Sequence, residues 1–321
     1  GIVRVWDASP FDESADRRLL TIREEGGTIY GLAFSPDSLR LASAGSDNAV
    51  KIRDAETGRE LLVLRGHKGP VFSVAFSPDG KTLLSGSNDQ TAKLWDAGTE
   101  REPLTLSGFK GMVRSVAFDA TGETFATASV QTLQLWNARD GRSLVPPQSA
   151  DAEHLSCVAF NADGKRLATG GSHRIVRVWQ VAGGKLKLAH AYKGHGNKIF
   201  SLAFSPDGRL LASGDFDGQV HIWDAATGDK KYTLSQQTDC ISGLAFSPDG
   251  GYLATASWKE VAVWDVKRLD APITTLGRLA GTIWCVAFSP DGQRLAAAGG
   301  YKGKGEIKMW DRTLWDKPAD K

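Results

Sequence analysis

The feature that most constrains this chain is a short motif that returns along its whole length. An apolar residue, alanine and phenylalanine are followed by Ser-Pro-Asp-Gly or a variant of it. The phenylalanines of this motif are Phe34, Phe76, Phe118, Phe160, Phe204, Phe246 and Phe288. Successive copies lie 42 residues apart, with a single spacing of 44. Such a period is typical of repeat architectures, in which each unit buries its apolar face against its neighbours.

Each repeat has the pattern of four short β-strands. In the second repeat, alternating or apolar runs cover residues 71–76, 82–87, 91–95 and 103–107. Segments rich in Gly, Pro, Asp and Asn separate these runs, which is the pattern of strands joined by tight turns. No segment has a sustained period of 3.6 residues, so we expect almost no helix.

Further recurring residues allow a comparison with a known family. The third strands end at Trp6, Trp95, Trp136, Trp179, Trp223, Trp264 and Trp310, commonly followed by aspartate. Arg53 takes the place of this tryptophan in the first full repeat, and a Gly-His pair opens the second and fifth repeats, at His67 and His195. A unit of this length with Gly-His at its front and Trp-Asp near its end resembles the WD-repeat family. The resemblance covers residues 1–311 and implies an all-β propeller of four-stranded antiparallel blades around a channel.

The number of blades follows from counting strands. Seven sets of first, second and third strands are present, and six of them are followed by a fourth strand. The missing strand is available at residues 19–24, LLTIRE. In the family, the opposite terminus commonly completes the last blade. We therefore predict a seven-bladed propeller over residues 19–315, closed by its N-terminal strand, and a short tail at 316–321.

The first residues do not fit this scheme. Residues 2–7, IVRVWD, have the pattern of a third strand, yet the last blade already has one at 305–311. We interpret residues 1–18 as the third strand and linker of a preceding repeat, with further repeats or another domain upstream. The alternative is that residues 1–7 replace 305–311 as the third strand of the last blade.

Composition narrows the range of functions. The net charge is +2, from 39 basic and 37 acidic residues, so no strong nucleic-acid signal is visible in bulk. The three cysteines give neither a disulfide framework nor a metal motif, and this count is compatible with a reducing compartment. The histidines have no metal spacing. Apolar runs are only a few residues long, which predicts no membrane helix. We expect no cofactor and no metal.

Two repeats combine histidine, serine and aspartate, which invites comparison with a nucleophilic triad. The resemblance implies another arrangement, a buried chain in which tryptophan donates to serine, serine to histidine and histidine to aspartate. The predicted networks are Trp95, Ser85, His67 and Asp89, and Trp223, Ser213, His195 and Asp217. A satisfied buried network stiffens a blade and leaves no free nucleophile. We predict a structural role and no catalytic residue.

Aromatic residues that the repeat does not require indicate a binding surface. Aligning the repeats places them, with two cations, on the face where the loops before the first strand open. The predicted partner-binding residues are Tyr30, Phe72, Arg114, Lys198, Phe200, Phe216, Trp258, Trp284 and Tyr301. Clustered aromatics accompanied by arginine are typical of protein interfaces.

The resemblance implies a non-catalytic scaffold, itself monomeric, that binds a protein or peptide on this face. Two other interpretations remain open. One is a regulatory or sensory module of a larger, bacterial-style signalling protein. The other is an enzyme or cofactor propeller with its active site at the channel mouth. The mouth has no carboxylate pair, metal cluster or activated nucleophile in the sequence alignment, which favours the scaffold.

Overall fold

The repeats fold into seven four-stranded antiparallel sheets, which form the blades of a ring. The computed structural model describes residues 19–149, 154–235, 237 and 239–316. First strands of successive blades contact each other, and those of the first and last blades also meet. The predicted seven-bladed β-propeller is confirmed. Within the described residues the only helical element is a 3₁₀ turn at Arg312–Leu314.

The strands follow in chain order. The first, β1 (Leu19–Glu25), belongs to blade 7. Blade 1 contains β2 (Ile29–Phe34), β3 (Arg40–Gly45), β4 (Ala49–Asp54) and β5 (Glu60–Arg65). Blade 2 contains β6 (Val71–Phe76), β7 (Thr82–Ser87), β8 (Ala92–Asp96) and β9 (Leu104–Leu106). Blade 3 contains β10 (Val113–Phe118), β11 (Thr124–Ser129), β12 (Thr132–Asn137) and β13 (Gln148–Ser149).

The remaining blades repeat this order. Blade 4 contains β14 (Leu155–Phe160), β15 (Arg166–Gly171), β16 (Ile175–Ala182) and β17 (Lys185–Lys193). Blade 5 contains β18 (Ile199–Phe204), β19 (Leu210–Asp215), β20 (Val220–Asp224) and β21 (Lys230–Leu234). Blade 6 contains β22 (Ile241–Phe246), β23 (Tyr252–Ser257), β24 (Val261–Asp265) and β25 (Thr274–Leu276). Blade 7 contains β26 (Thr282–Phe288), β27 (Arg294–Tyr301) and β28 (Lys304–Asp311).

The two ends of the described chain meet in blade 7. Strand β1 pairs antiparallel with β28, from Leu19 opposite Trp310 to Glu25 opposite Lys304. The predicted closure by the N-terminal strand is therefore confirmed. Because β28 occupies the third position of this sheet, the alternative in which residues 1–7 take that position is wrong. The interpretation of residues 1–18 as part of a preceding repeat lies outside the described residues.

The Ser-Pro-Asp-Gly turn, or its variant, precedes each second strand and is held by local hydrogen bonds. In blade 2, Ser77 Oγ donates to Asp79 at 2.6 Å and accepts from the Thr82 backbone N–H at 2.9 Å. Gly80 closes the turn with φ of +69°, a conformation in which glycine has no Cβ penalty. In blade 1, Ser38 adopts the same conformation with φ of 62°. The motif therefore fixes the turn between the first and second strands, on the face opposite the loops that precede the first strands.

The core lies between blades. Between blades 1 and 2, Val50 and Leu64 pack with Val71 and Trp95. The same arrangement crosses the closure, where Ile29 and Leu41 of blade 1 belong to one cluster with Ala296 and Ile307 of blade 7. Each sheet thus buries both faces only because it has two neighbours. Within the described ranges, no helix has the length and hydropathy of a membrane span.

Arginine side chains also join neighbouring blades on the turn face. Arg40 of blade 1 donates to the carbonyl oxygens of Gly80 and Ala97 in blade 2, at 2.8 and 3.0 Å. Arg294 of blade 7 donates to the carbonyl oxygen of Ala55 in blade 1 at 2.6 Å. The second of these contacts crosses the closure of the ring.

Candidate interaction site at the channel mouth

Every blade has a β-bulge near the start of its first strand. In blade 2, Val71 pairs with Ser87 and Ser73 with Gly86, so Phe72 is the extra residue. The bulged residues of all blades, called the mouth ring below, are Tyr30, Phe72, Arg114, Ser156, Phe200, Ser242 and Trp284. All seven line the opening of the central cavity. A bulge changes the direction of a side chain relative to the regular ladder. The bulged side chain therefore points to the channel mouth in every blade, although the residue type differs from blade to blade.

Six of the predicted aromatic residues form one unbroken series of ring contacts. Their centroid distances lie between 5.4 and 6.3 Å, with mostly tilted or edge-to-face geometry. In order around the ring they are Phe200, Phe216, Trp258, Trp284, Tyr30 and Phe72, called the aromatic arc below. The arc covers five consecutive blades, from blade 5 through the closure to blade 2. Contacts of this kind hold aromatic rings in a defined arrangement.

The arc is partly exposed to solvent, and Tyr301 does not belong to it. Phe216 is 37% exposed, and the other arc residues are partly buried. The indole Nε1 of Trp258 is buried without a hydrogen-bond partner. Tyr301 is 59% exposed at the end of β27, and Lys302 lies over its ring at 5.2 Å. Of the nine residues predicted by aligning the repeats, eight thus lie at the channel mouth, and Tyr301 lies on the hairpin between β27 and β28.

The two predicted cations lie near opposite ends of the arc. The guanidinium of Arg114 lies 5.4 Å from the ring centroid of Phe72, and Lys198 Nζ lies 5.7 Å from that of Phe216. Both are cation–π contacts, which hold a charge at an aromatic face. Burial lowers the pKa of Arg114, although a guanidinium keeps its charge across the physiological range.

Below the mouth ring the cavity has a volume of about 400 Å³. Two of the serine hydroxyl groups that line it accept hydrogen bonds from the neighbouring blade. Ser73 Oγ accepts from the Val116 N–H at 3.2 Å, and Ser115 Oγ accepts from the Val158 N–H at 3.1 Å. Burial raises the pKa of the Cys157 thiol, and it raises that of Cys285 to about 12. Among the described residues, no cluster of His, Cys, Asp or Glu could hold a metal ion.

The network of blade 2 has the predicted geometry. Trp95 Nε1 donates to Ser85 Oγ at 2.8 Å, Ser85 lies 2.7 Å from His67 Nε2, and His67 Nδ1 lies 2.9 Å from Asp89. Burial is the largest influence on His67 and lowers its pKa. Because an ionised carboxylate can only accept, Nδ1 of His67 is the donor to Asp89. Burial opposes ionisation of Asp89, but hydrogen bonds from Thr91, the Lys68 N–H and His67 together lower its pKa.

In blade 5 the prediction of Asp217 is wrong, and Asp215 takes its role. Trp223 donates to Ser213 at 2.7 Å, Ser213 lies 2.6 Å from His195 Nε2, and His195 Nδ1 lies 2.9 Å from Asp215. Asp215 ends β19 and accepts from the Asp217 and Gln219 N–H groups, which fix its carboxylate. Asp217 is exposed and accepts from Asn197 at 2.9 Å.

Aligning the repeats did not identify Asp215 as the partner of His195, because this turn contains two aspartates, Asp215 and Asp217. The position of Asp215 is Ser87 in blade 2, whose hydroxyl donates to the Gly69 carbonyl instead. A longer acidic side chain at the end of the strand reaches the histidine directly, and a second buried carboxylate beside it would be repelled. The signal available in the sequence was the Asp-Phe-Asp pattern at residues 215–217.

Blade 1 replaces the network with buried charges that sequence reasoning did not identify. Arg53, in the tryptophan position, lies 2.7 Å from Glu24 and 2.8 Å from Ser43 Oγ. Lys51 lies 2.7 Å from Glu24 and 2.6 Å from Asp47. Glu24 belongs to β1, the strand that closes blade 7, so this cluster joins the closing strand to blade 1.

Blades 3, 4 and 6 retain a simpler form of the anchor. Their tryptophan indoles donate to a threonine of the second strand at 2.9 to 3.0 Å. The pairs are Trp136 with Thr127, Trp179 with Thr169 and Trp264 with Thr255. The anchor therefore survives without the histidine and aspartate.

These features define a class, the β-propellers whose blades are anchored by a tryptophan of the third strand. The chain belongs to the WD40 family. The model of this family, described as WD domain, G-beta repeat, matches residues 17–54, 58–96, 148–180, 186–224, 228–265 and 271–311, which is more than half of the chain. The unmatched stretch between the second and third segments contains most of blade 3. No curated protein matched the chain. Propellers of this family are typically protein-interaction scaffolds.

Proposed function

We propose that this propeller is a non-catalytic scaffold that binds a protein or peptide segment at the channel mouth, with the aromatic arc as the principal contact. The observation that carries the proposal is the unbroken series of six aromatic rings across five blades. None of these rings occupies the motif phenylalanine or the anchor tryptophan position. Tryptophan and tyrosine are enriched among residues that dominate binding energy, because they bury a large area at low entropic cost.

The chemistry of the cavity supports binding over catalysis. Arg114 is the single charged side chain among the described residues that line it. General acid–base catalysis needs a titratable group placed against substrate, and Cys157 and Cys285 are held as protonated thiols by burial. The interpretation as a module of a larger signalling protein would use the same surface and remains a prediction.

The proposal is tested by selecting peptides from a random display library on the immobilised propeller and measuring their affinity by fluorescence anisotropy. Trp284→Ala and Trp258→Ala are expected to weaken binding at least about tenfold with an unchanged circular dichroism spectrum. Tyr232→Ala is the matched control, because this tyrosine is 53% exposed on the outer strand of blade 5. Ligands that are insensitive to both tryptophans, or that contact the Ser-Pro-Asp-Gly turns, would contradict the proposal.

A further inference from the structure

The mouth ring contains one charged residue, Arg114 in blade 3. Blades 7, 1, 2 and 5 contribute aromatic residues and blades 4 and 6 contribute serines, namely Trp284, Tyr30, Phe72, Phe200, Ser156 and Ser242. In a ring of seven, blade 3 lies across the channel from blades 6 and 7. Arg114 and Trp284 therefore lie on opposite sides of the opening, and both line the cavity between them.

Arg114 carries a positive charge that no described carboxylate balances. The ring of Phe72 covers its guanidinium at 5.4 Å, and the side chain is only partly exposed. No ion pair or hydrogen bond joins it to a carboxylate within the described residues, and its pKa is lowered by desolvation. By contrast, the buried Arg53 has the carboxylates of Glu24 and Glu60 at 2.7 and 3.1 Å. An arginine stacked on one face keeps the N–H groups of its edge free for an anion.

The geometry points to a specific ligand chemistry at the mouth: a peptide segment whose Asp or Glu carboxylate binds Arg114 while a neighbouring apolar side chain contacts the aromatic arc. This inference rests on the proposed function and adds the charge of the partner. A carboxylate fits because its two oxygens match the guanidinium fork, and its single negative charge equals the single positive charge lining the cavity. Lys198, exposed at the other end of the arc, adds positive potential for the same segment.

The test uses an array of heptapeptides blocked at both ends, synthesised in pairs that differ only by Glu or Gln at the central position. Each pair carries one Trp or Leu within two positions of the centre. The wild-type propeller is expected to bind the Glu member about tenfold more tightly than its Gln twin, since a charge-assisted bidentate contact is lost in the twin. Arg114→Gln should abolish this preference. Arg139→Gln, an exposed arginine after β12 on the turn face, makes the same change in net charge and should retain it.

The outcomes separate the inference from the proposed function. If twins bind equally while Trp284→Ala weakens both, the mouth binds peptides but the carboxylate inference is wrong. If no peptide depends on either Trp284 or Trp258, the proposed function itself fails. A third arm presents Gln peptides with a free C-terminal carboxylate, and a preference for these would overturn the assignment to a side chain. Asp151 and Glu153 precede the first strand of blade 4 in the sequence and lie outside the described residues. The double variant Asp151→Asn, Glu153→Gln tests whether either carboxylate competes for Arg114, and it should bind the Glu peptides as tightly as the wild type. A gain of about tenfold would show that Arg114 already has a partner in the chain and would overturn the inference.

Discussion

His195 Nδ1 lies 2.9 Å from the carboxylate of Asp215, two residues before the aspartate that the repeat alignment indicates. Both ends of this contact are buried, and the carboxylate also accepts two backbone N–H groups of the following turn. One side chain therefore fixes the histidine and the turn together. Blade 5 therefore differs from the repeat pattern in the residue that accepts from its histidine.

The neighbouring aspartates provide a matched pair of variants. Asp215→Asn should lower the free energy of unfolding by about 1 to 3 kcal/mol, because buried donors lose a charged acceptor. Asp217→Asn should change it by less than about 0.5 kcal/mol, as expected for an exposed site. Urea denaturation followed by tryptophan fluorescence measures both. The reverse order of effects would restore the alignment-based assignment.

Glu24 should be more important for stability than its position in an outer strand indicates. Glu24→Gln leaves Arg53 and Lys51 without their shared carboxylate, whereas Glu60 and Asp47 still pair with them. We therefore expect a loss of about 1 to 3 kcal/mol, less than for a buried charge left with no partner. The control is Glu25→Gln, which changes the adjacent, exposed glutamate in the same way. Thermal melts of the two variants measure the difference. Equal melting temperatures would show that the cluster does not stabilise the closure.

Stability should fall in mild acid because of buried histidines. Burial, with the nearby His195, lowers the pKa of His221 to about 4, and burial also lowers that of His67. The unfolded chain, with histidine pKa near 6.5, binds more protons in this range, so stability rises with pH. His221 should leave the free energy of unfolding unchanged above pH 7 and lower it by about 2 to 3 kcal/mol at pH 4.5.

His221→Gln identifies the source of that loss. The variant removes the ring that lies 4.2 Å from His195, and its stability should decline less steeply between pH 6.5 and 4. Carboxylates such as Asp89 and Asp215, whose pKa values are lowered in the fold, contribute only below about pH 4. Identical slopes in the two proteins would exclude His221 as the titrating group.

The three thiols should react slowly while the protein is folded. Burial raises the pKa of all three, and to about 12 for Cys240 and Cys285. At pH 8 the thiolate fraction, and with it the rate of alkylation, should be lower by about a thousandfold than for a free cysteine. Mass spectrometry after iodoacetamide treatment measures this rate, with the guanidinium-denatured protein as reference. Rapid modification of Cys157 in the folded state would mean that the channel opens.

The periodic phenylalanines were sufficient to predict the ring, because each one marks the end of a first strand and the start of a fixed turn. The same register placed Tyr30 and Trp284 on one face, although they are distant in the chain. The structure adds the reason, a bulge in each first strand. A search for strict hydrophobic alternation does not identify a bulge, because the buried residues around it, such as Val71 and Val74 in blade 2, are three positions apart instead of two.

Interactions across the closure could not be predicted in this way. Glu24 and Arg53 belong to different blades. They meet because β1 is the outer strand of blade 7, which is the neighbour of blade 1 in the closed ring. Arg53 was visible as an exception in the tryptophan position, but nothing in the repeat names its partner. Asp215 was missed for a related reason, since alignment compares positions and not the reach of side chains.

The pairing of β1 with β28 also sets an order of events during folding. It joins the two ends of the described chain, whereas the hairpins within a blade close short loops. Loop-closure entropy is therefore greatest for this contact, and the rate of forming non-local contacts falls accordingly. We expect blades to form by local pairing first, with the N-terminal strand docking last. Until it docks, the edge of β28 is free to accept a strand from another molecule, so the refolding yield should decrease as protein concentration rises.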